Sequence, residues 1–221
     1  MKTMILCAAT ACLASTAAAN INGAAWSPQD GDVIAFDVLR KGKPFGEHVI
    51  SFDVSDDGTV IAKTNVSLRA GFGPITAFKY ELSSEEIWRD NALVALTGRL
   101  VENGDEETVE ATLKDGSLVV DGTAYSGDAP SDIIPSSHWN IREISGERML
   151  STENGEIIEF TVETLGTETL DIGGAEIETT KYLLDSDIDV ELWYDDQGRW
   201  LKLAFEARGQ TIEYRLRDLY D

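Results

Sequence analysis

Ile188-Asp189-Val190-Glu191-Leu192-Trp193-Tyr194-Asp195-Asp196-Gln197-Gly198-Arg199-Trp200-Leu201-Lys202-Leu203-Ala204-Phe205 decides how the rest of the chain is read. Ile188, Val190, Leu192 and Tyr194 alternate with Asp189, Glu191, Trp193 and Asp195, the period of a strand that buries one face. Asp195 to Gly198 supplies a turn in which Gly198 can take the positive φ of a bulged hairpin loop without steric cost. Arg199 to Phe205 then returns as the partner strand.

The same punctuation recurs along the chain. Arg40-Lys41-Gly42-Lys43, Asp56-Asp57-Gly58, Glu102-Asn103-Gly104, Lys114-Asp115-Gly116, Asn154-Gly155, Ile172-Gly173-Gly174 and Arg208-Gly209 place Gly, Asn or Asp where tight connections demand positive φ. Between them lie strand-like runs such as Val33 to Arg40, His48 to Val54, Thr59 to Leu68 and Thr108 to Leu113. No stretch keeps a helical period long enough for a major helix. The expected fold is all-β: a strongly curved antiparallel sheet of about a dozen strands, forming an incomplete barrel or β-spiral, with one irregular crossover. That crossover is Ser126 to Asn140, which has two prolines and little alternation and can serve as a linker, a lid or a plug. A helical turn is expected within it at Ser131 or Asp132, and Asn20 to Asp30 reads as an irregular lead-in.

An internal echo is also visible. Glu86-Ile87-Trp88-Arg89-Asp90 followed by Leu93-Val94-Ala95-Leu96 parallels Glu191-Leu192-Trp193-Tyr194-Asp195 followed by Trp200-Leu201-Lys202-Leu203. On this reading Trp88 and Trp193 hold equivalent places in two related hairpins.

The first nineteen residues read as a secretory leader. Met1-Lys2 is a positive start, Met4 to Leu13 an apolar stretch, and Ala17-Ala18-Ala19 a small-residue end, with cleavage expected before Asn20. Cys7 and Cys12 are the only cysteines and both fall in the leader, which leaves residues 20–221 as a single domain with no disulfide and no thiol chemistry. A domain of about 200 residues buries roughly 70% of its unfolded surface and needs no covalent staple. No later apolar run is long enough for a membrane-spanning helix. Without Lys2 the 18 basic residues become 17 against 40 acidic ones, a formal charge of −23 instead of −22. Such a surface repels phosphate backbones, so nucleic acid is excluded as a partner.

Gly42-Lys43-Pro44-Phe45-Gly46-Glu47-His48, Glu86-Ile87-Trp88, Pro135-Ser136-Ser137-His138-Trp139-Asn140, and Leu192-Trp193-Tyr194-Asp195 with Gly198-Arg199-Trp200 carry a resemblance to a family. Together they resemble an uncharacterised family of secreted proteobacterial proteins, over nearly the whole mature chain and in the right order. More distantly the layout is similar to periplasmic β-spiral envelope proteins and to the half-barrels of lipoprotein carriers. The resemblance implies a periplasmic curled sheet around an apolar groove, and it transfers no activity.

Several residues invite chemistry. Asp185, Asp187, Asp189 and Glu191 share a strand face, but Val190 stands where a calcium loop needs its bending glycine, so a solvated face is the expectation and no metal is assigned. Ser136, Ser137 and His138 suggest a hydrolase. Adjacent Ser137 and His138 point apart in extended chain, and only Ser136 can share a face with His138. The two histidines, His48 and His138, lack zinc-helix spacing, and His48 reads as a surface or hydrogen-bonded residue. The tryptophans are more suggestive: a cleft lined by Trp88, Trp139 and Trp193, with His138 at its rim and Trp139 closing as a lid over an apolar interior, is the expected ligand site.

The function expected from these features is that of a non-enzymatic periplasmic binding or cell-envelope maintenance protein, without cofactor, taking an apolar small molecule or an envelope protein as partner. A hydrolase centred on His138 and an interaction module that recruits a strand at a sheet edge are the alternatives.

Overall fold

The computed structural model describes residues 26–72 and 75–220. The expected leader, its cleavage point before Asn20, and Cys7 and Cys12 lie outside the described residues. Strands β1 (Val33–Arg40), β2 (Lys43–Val54), β3 (Val60–Phe72), β4 (Ile75–Arg89), β5 (Ala92–Glu102), β6 (Asp105–Lys114), β7 (Ser117–Gly122) and β8 (Ser126–Pro130) follow one another as an antiparallel meander. An excursion then passes through β9 (Ile134–Pro135), a 3₁₀ helix at Ile141–Ser145, β10 (Arg148–Leu150) and β11 (Ile157–Glu159). A second meander consists of β12 (Thr161–Ile172), β13 (Ala175–Asp185), β14 (Val190–Tyr194), β15 (Trp200–Ala207) and β16 (Gln210–Leu216).

β16 pairs antiparallel with β1, from Phe36 opposite Leu216 to Arg40 opposite Ile212, and joins the two meanders into one 13-stranded sheet. Its terminal strands β8 and β12 do not pair with each other, so the sheet is barrel-like and open, as the sequence implies. The curl is evident from side chains: Arg208, in the turn between β15 and β16, reaches Glu102 at the end of β5 at 3.3 Å, although these strands lie far apart in sheet order. Inner residues from both meanders accordingly share one core. No helix among the described residues is long and apolar enough to cross a membrane.

Turn chemistry shapes the sheet. Asn103 and Gly104 (φ 53° and 104°) and Asp115 and Gly116 (φ 50° and 88°) are both left-handed. This is the two-residue connection whose twist matches that of the flanking strands. In the 188–205 hairpin the Asp195 carboxylate accepts from the Gln197 and Arg199 amides at 3.0 and 2.9 Å and from Arg199 Nε at 2.7 Å. Gly198 has φ 81°, as the bulged loop requires. The strand itself starts at Val190, two residues later than its alternation suggests, and Ile188 is exposed.

The excursion differs from the expected crossover. Ser126–Pro130 is the edge strand β8, so the irregular path begins later and extends to Phe160. The helical turn sits at Ile141–Ser145 rather than at Ser131 or Asp132, because Asn140 caps it by accepting from the Arg142 amide at 3.2 Å. Asn154-Gly155 does not join strands of the main sheet; it turns the chain between β10 and β11 of a separate three-stranded sheet, ordered β11-β10-β9. This excursion lies against the concave face. A Cβ on Gly98 of β5 would stand 2.0 Å from the Thr152 carbonyl oxygen, and one on Gly122 of β7 only 2.4 Å from that of Asn154. Two inner glycines thus let another backbone approach the sheet directly.

Candidate site on the concave face

β4 turns Tyr80, Leu82, Ser84, Glu86 and Trp88 inward, and the apolar members of that set carry Glu86 into the core with 0% exposure. Its Oε2 accepts from Trp88 Nε1 at 2.8 Å on the same strand and from Trp139 Nε1 at 3.1 Å on the excursion. Oε1 makes no hydrogen bond to a described residue. Burial pushes the Glu86 carboxyl above the usual carboxylate range; the Ser137 hydroxyl beside it and the two indole N–H groups pull it back, and nearby Glu143 pushes it further up.

A second buried carboxyl closes the cluster. Glu143, on the 3₁₀ helix, is 1% exposed. Its Oε2 accepts from His138 Nδ1 at 3.0 Å, and its Oε1 accepts from the Tyr194 hydroxyl. The same hydroxyl lies 2.7 Å from the His138 carbonyl oxygen, so one proton is shared between two acceptors on the excursion. Burial, then Glu143, drives the Tyr194 phenol well above its ordinary value, which keeps it a donor. The left-handed backbone of His138 (φ 63°) aims its ring at Glu143 while its neighbours Ser137 and Trp139 face Glu86.

Trp88, His138 and Trp139 are therefore brought together. Trp193 is not. It faces the opposite side of the sheet, where Nε1 donates to Glu168 at 2.7 Å and the ring lies between the Lys181 and Lys202 ammonium groups, at 4.7 and 4.4 Å. The echo fails for the same reason: Trp88 shares the parity of its strand's buried residues, whereas Trp193 alternates with Leu192 and Tyr194.

Trp139 is not a lid over an open interior. It is 6% exposed and packs edge-to-face against Trp26, Phe52 and Trp88 with centroids 5.3 to 6.5 Å apart. The excursion is thus a plug, of the three roles a crossover can take.

His48 overturns a second expectation. It is buried at 5% exposure among Phe36, Trp200 and Tyr214, and neither ring nitrogen meets a hydrogen-bond partner among the described residues. Burial, and then His138, lowers its pKa to about 3. Ile50 and Phe52, on the same parity of β2, carry the sequence signal for that burial, as Leu82 and Trp88 do for Glu86. Glu143 has no such signal, since a single 3₁₀ turn imposes no period.

The His138–Glu143 pair is the kind that orients a base, but the serines are engaged elsewhere. Ser136 Oγ accepts from the Thr152 amide at 3.1 Å, and Ser137 stands beside Glu86. Among the described residues no group of three or more His, Cys, Asp or Glu side chains is arranged to hold a metal. On the acidic stretch, Glu191 instead pairs with Lys181 at 2.7 Å. A depression of about 310 Å3 lined by Phe45, Gly46, Glu47, Ser67, Arg69 and Arg217 opens to solvent and shares no residue with the buried cluster.

A solved structure shares this architecture. A beta-barrel-like protein of Domain of Unknown Function DUF1849 from Brucella abortus superposes with a TM-score of 0.59 at 12% identity, covering 86% of this chain and 96% of that one. LprF from Mycobacterium bovis matches at a TM-score of 0.33 and 13% identity, over 84% of each chain, a superposition too loose to carry any argument. No curated protein matches the chain. A family model described as Domain of unknown function (DUF6134) matches residues 36–217.

Proposed function

The chain belongs to the DUF6134 family, and, since that description names no activity, we propose a function from the concave face itself. The protein is a non-enzymatic binding or envelope-maintenance protein of the periplasm. Its curled sheet takes an apolar molecule or a partner segment on the face that residues 131–160 cover.

The observation that supports this reading is how the excursion is attached. Its strands pair with one another and not with the main sheet. It is fastened chiefly by side chains: Trp139 to Glu86, Tyr194 to His138 and Glu143, Arg142 to the Asn91 carbonyl, and Tyr80 to Glu153 at 2.6 Å. Ile133, Ile134, Met149, Leu150 and Phe160 bury its apolar side against the sheet. A segment held this way occupies the concave face much as a ligand would. Each such side chain contributes about 1.5–3 kcal/mol of burial, so an apolar partner offering similar area competes for the same surface. The hydrolase alternative keeps the oriented His138–Glu143 pair in its favour but has no hydroxyl hydrogen-bonded to the His138 ring among the described residues.

The test is native mass spectrometry of protein recovered from its own periplasm. The reading predicts a bound molecule or peptide that dissociates on denaturation and rebinds the refolded chain. Only the bare chain, together with no rebinding of the periplasmic extract, contradicts it.

A further inference from the structure

Four buried polar side chains on three consecutive strands have hydrogen-bonding groups that no described residue uses. They are both ring nitrogens of His48 on β2, Thr64 Oγ1 on β3, and Ser84 Oγ and Glu86 Oε1 on β4. Exposures are 5%, 2%, 7% and 0%, so bulk solvent does not reach them either. Their placement follows from register. Thr64 lies directly opposite Ser84. Ile50 opposite Thr64 makes His48 the diagonal neighbour on one side, and Ala62 opposite Glu86 makes Glu86 the diagonal neighbour on the other. Opposed Cβ atoms stand about 4.5–5.5 Å apart and diagonal neighbours about 7–8 Å. The orphan groups therefore form one contiguous patch of the inner face.

Scattered packing faults would not collect on adjacent positions, and a native interior pairs nearly all its buried polar groups. We infer that this patch is a binding site for a small uncharged hydrogen-bonding occupant, enclosed between β2–β4 and the excursion. The groups define its chemistry. Neutral imidazole offers one donor and one acceptor, each hydroxyl offers both, and a carboxylate oxygen accepts. The occupant must therefore donate and accept. With His48 neutral at physiological pH, nothing in the patch attracts an anion. Water and a small neutral solute bearing hydroxyl or amide groups share this chemistry. The site differs from the surface proposed above for an apolar partner, because its hydrogen-bonding groups belong to β2–β4 and not to the excursion.

The experiment uses the full mature chain and the near-isosteric variant Thr64→Val, with Ser84→Ala beside it. An occupant that completes the hydrogen bonds loses a partner in each variant, and Tm falls by about 2–6 °C. Nuclear Overhauser transfer from long-lived water to the His48 ring and the Thr64 methyl group identifies water. A neutral solute released on denaturation and seen by mass spectrometry identifies the other source. Either result with lowered Tm supports the site. An unchanged or raised Tm in both variants, with neither water transfer nor released solute, overturns it, since removing an unpaired buried hydroxyl from a dry interior stabilises the fold.

Discussion

Acidification should unfold this protein in part through one histidine. His48 has its pKa lowered from 6.5 to about 3 because it is buried among Phe36, Trp200 and Tyr214 with His138 nearby. A group with a depressed folded pKa binds protons in the unfolded state first, so its contribution is intact above the unfolded value and is lost as pH falls toward the folded one. Between pH 7.5 and 5.0 the loss is about 2 kcal/mol, it reaches about 4 kcal/mol at pH 3, and it approaches about 5 kcal/mol only below the folded value. The value at pH 5.0 depends almost wholly on the unfolded pKa, because the folded site stays neutral throughout. Glu86 and Glu153 act in the opposite sense, since burial raises both and their protonation on acidification favours the folded state. The histidine term must therefore be read as a difference. His48→Leu keeps similar volume against the three aromatic rings and removes the titration. Urea unfolding at pH 7.5 and 5.0, followed by tryptophan fluorescence, should show wild type losing about 2 kcal/mol more than the variant. Equal losses in the two proteins would refute the assignment of His48 to a buried, neutral interior position.

Other expectations follow from the same geometry. Glu86→Ala leaves two buried indole N–H groups unpaired and should cost about 2–5 kcal/mol in urea unfolding, whereas Glu86→Gln keeps an acceptor and should cost under about 1 kcal/mol. Gly198→Val should lower stability more than Gln197→Ala by about 1–3 kcal/mol, because Gly198 has φ 81° and a Cβ there meets Ile141 Cγ2 at 3.0 Å; equal melting temperatures would refute this. Sodium chloride should raise Tm, since 40 acidic residues against 18 basic ones repel one another in the compact state; no change up to about 0.15 M would count against it.

The parts of the fold written in period-two alternation and turn residues were legible. Asp195 to Gly198 forms the expected bulged turn, and Asn103-Gly104 and Asp115-Gly116 form the expected left-handed connections. The site was legible only where a polar residue shares parity with apolar ones. The sequence names Trp88 and Trp139 together only as the lining and lid of a ligand cleft, and their common acceptor Glu86 goes unnamed there because a lone acid in a strand normally faces water. Trp193 was placed correctly on the acidic face but wrongly grouped with Trp88, since matching Glu-x-Trp triplets say nothing of which face each presents. The depth of the excursion was not legible at all. It depends on Gly98 and Gly122 accepting a backbone from a segment distant in sequence, and a strand glycine looks the same whether it marks a bulge or a contact.

Hydrogen exchange resolved by segment tests most directly whether residues 131–160 form a separable occupant of the concave face. The excursion is tied to the sheet mainly by side chains, whereas β1 to β5 are tied by continuous ladders. Excursion amides should therefore exchange through an opening that costs less than global unfolding. Trp139→Ala, which removes one indole donor to Glu86, should speed their exchange by at least about tenfold, since 1.4 kcal/mol is already a factor of ten, while leaving β1 to β5 at a rate set by global stability alone. Exchange of the excursion at the same slow rate as β1 to β5, in wild type and variant alike, would contradict the account.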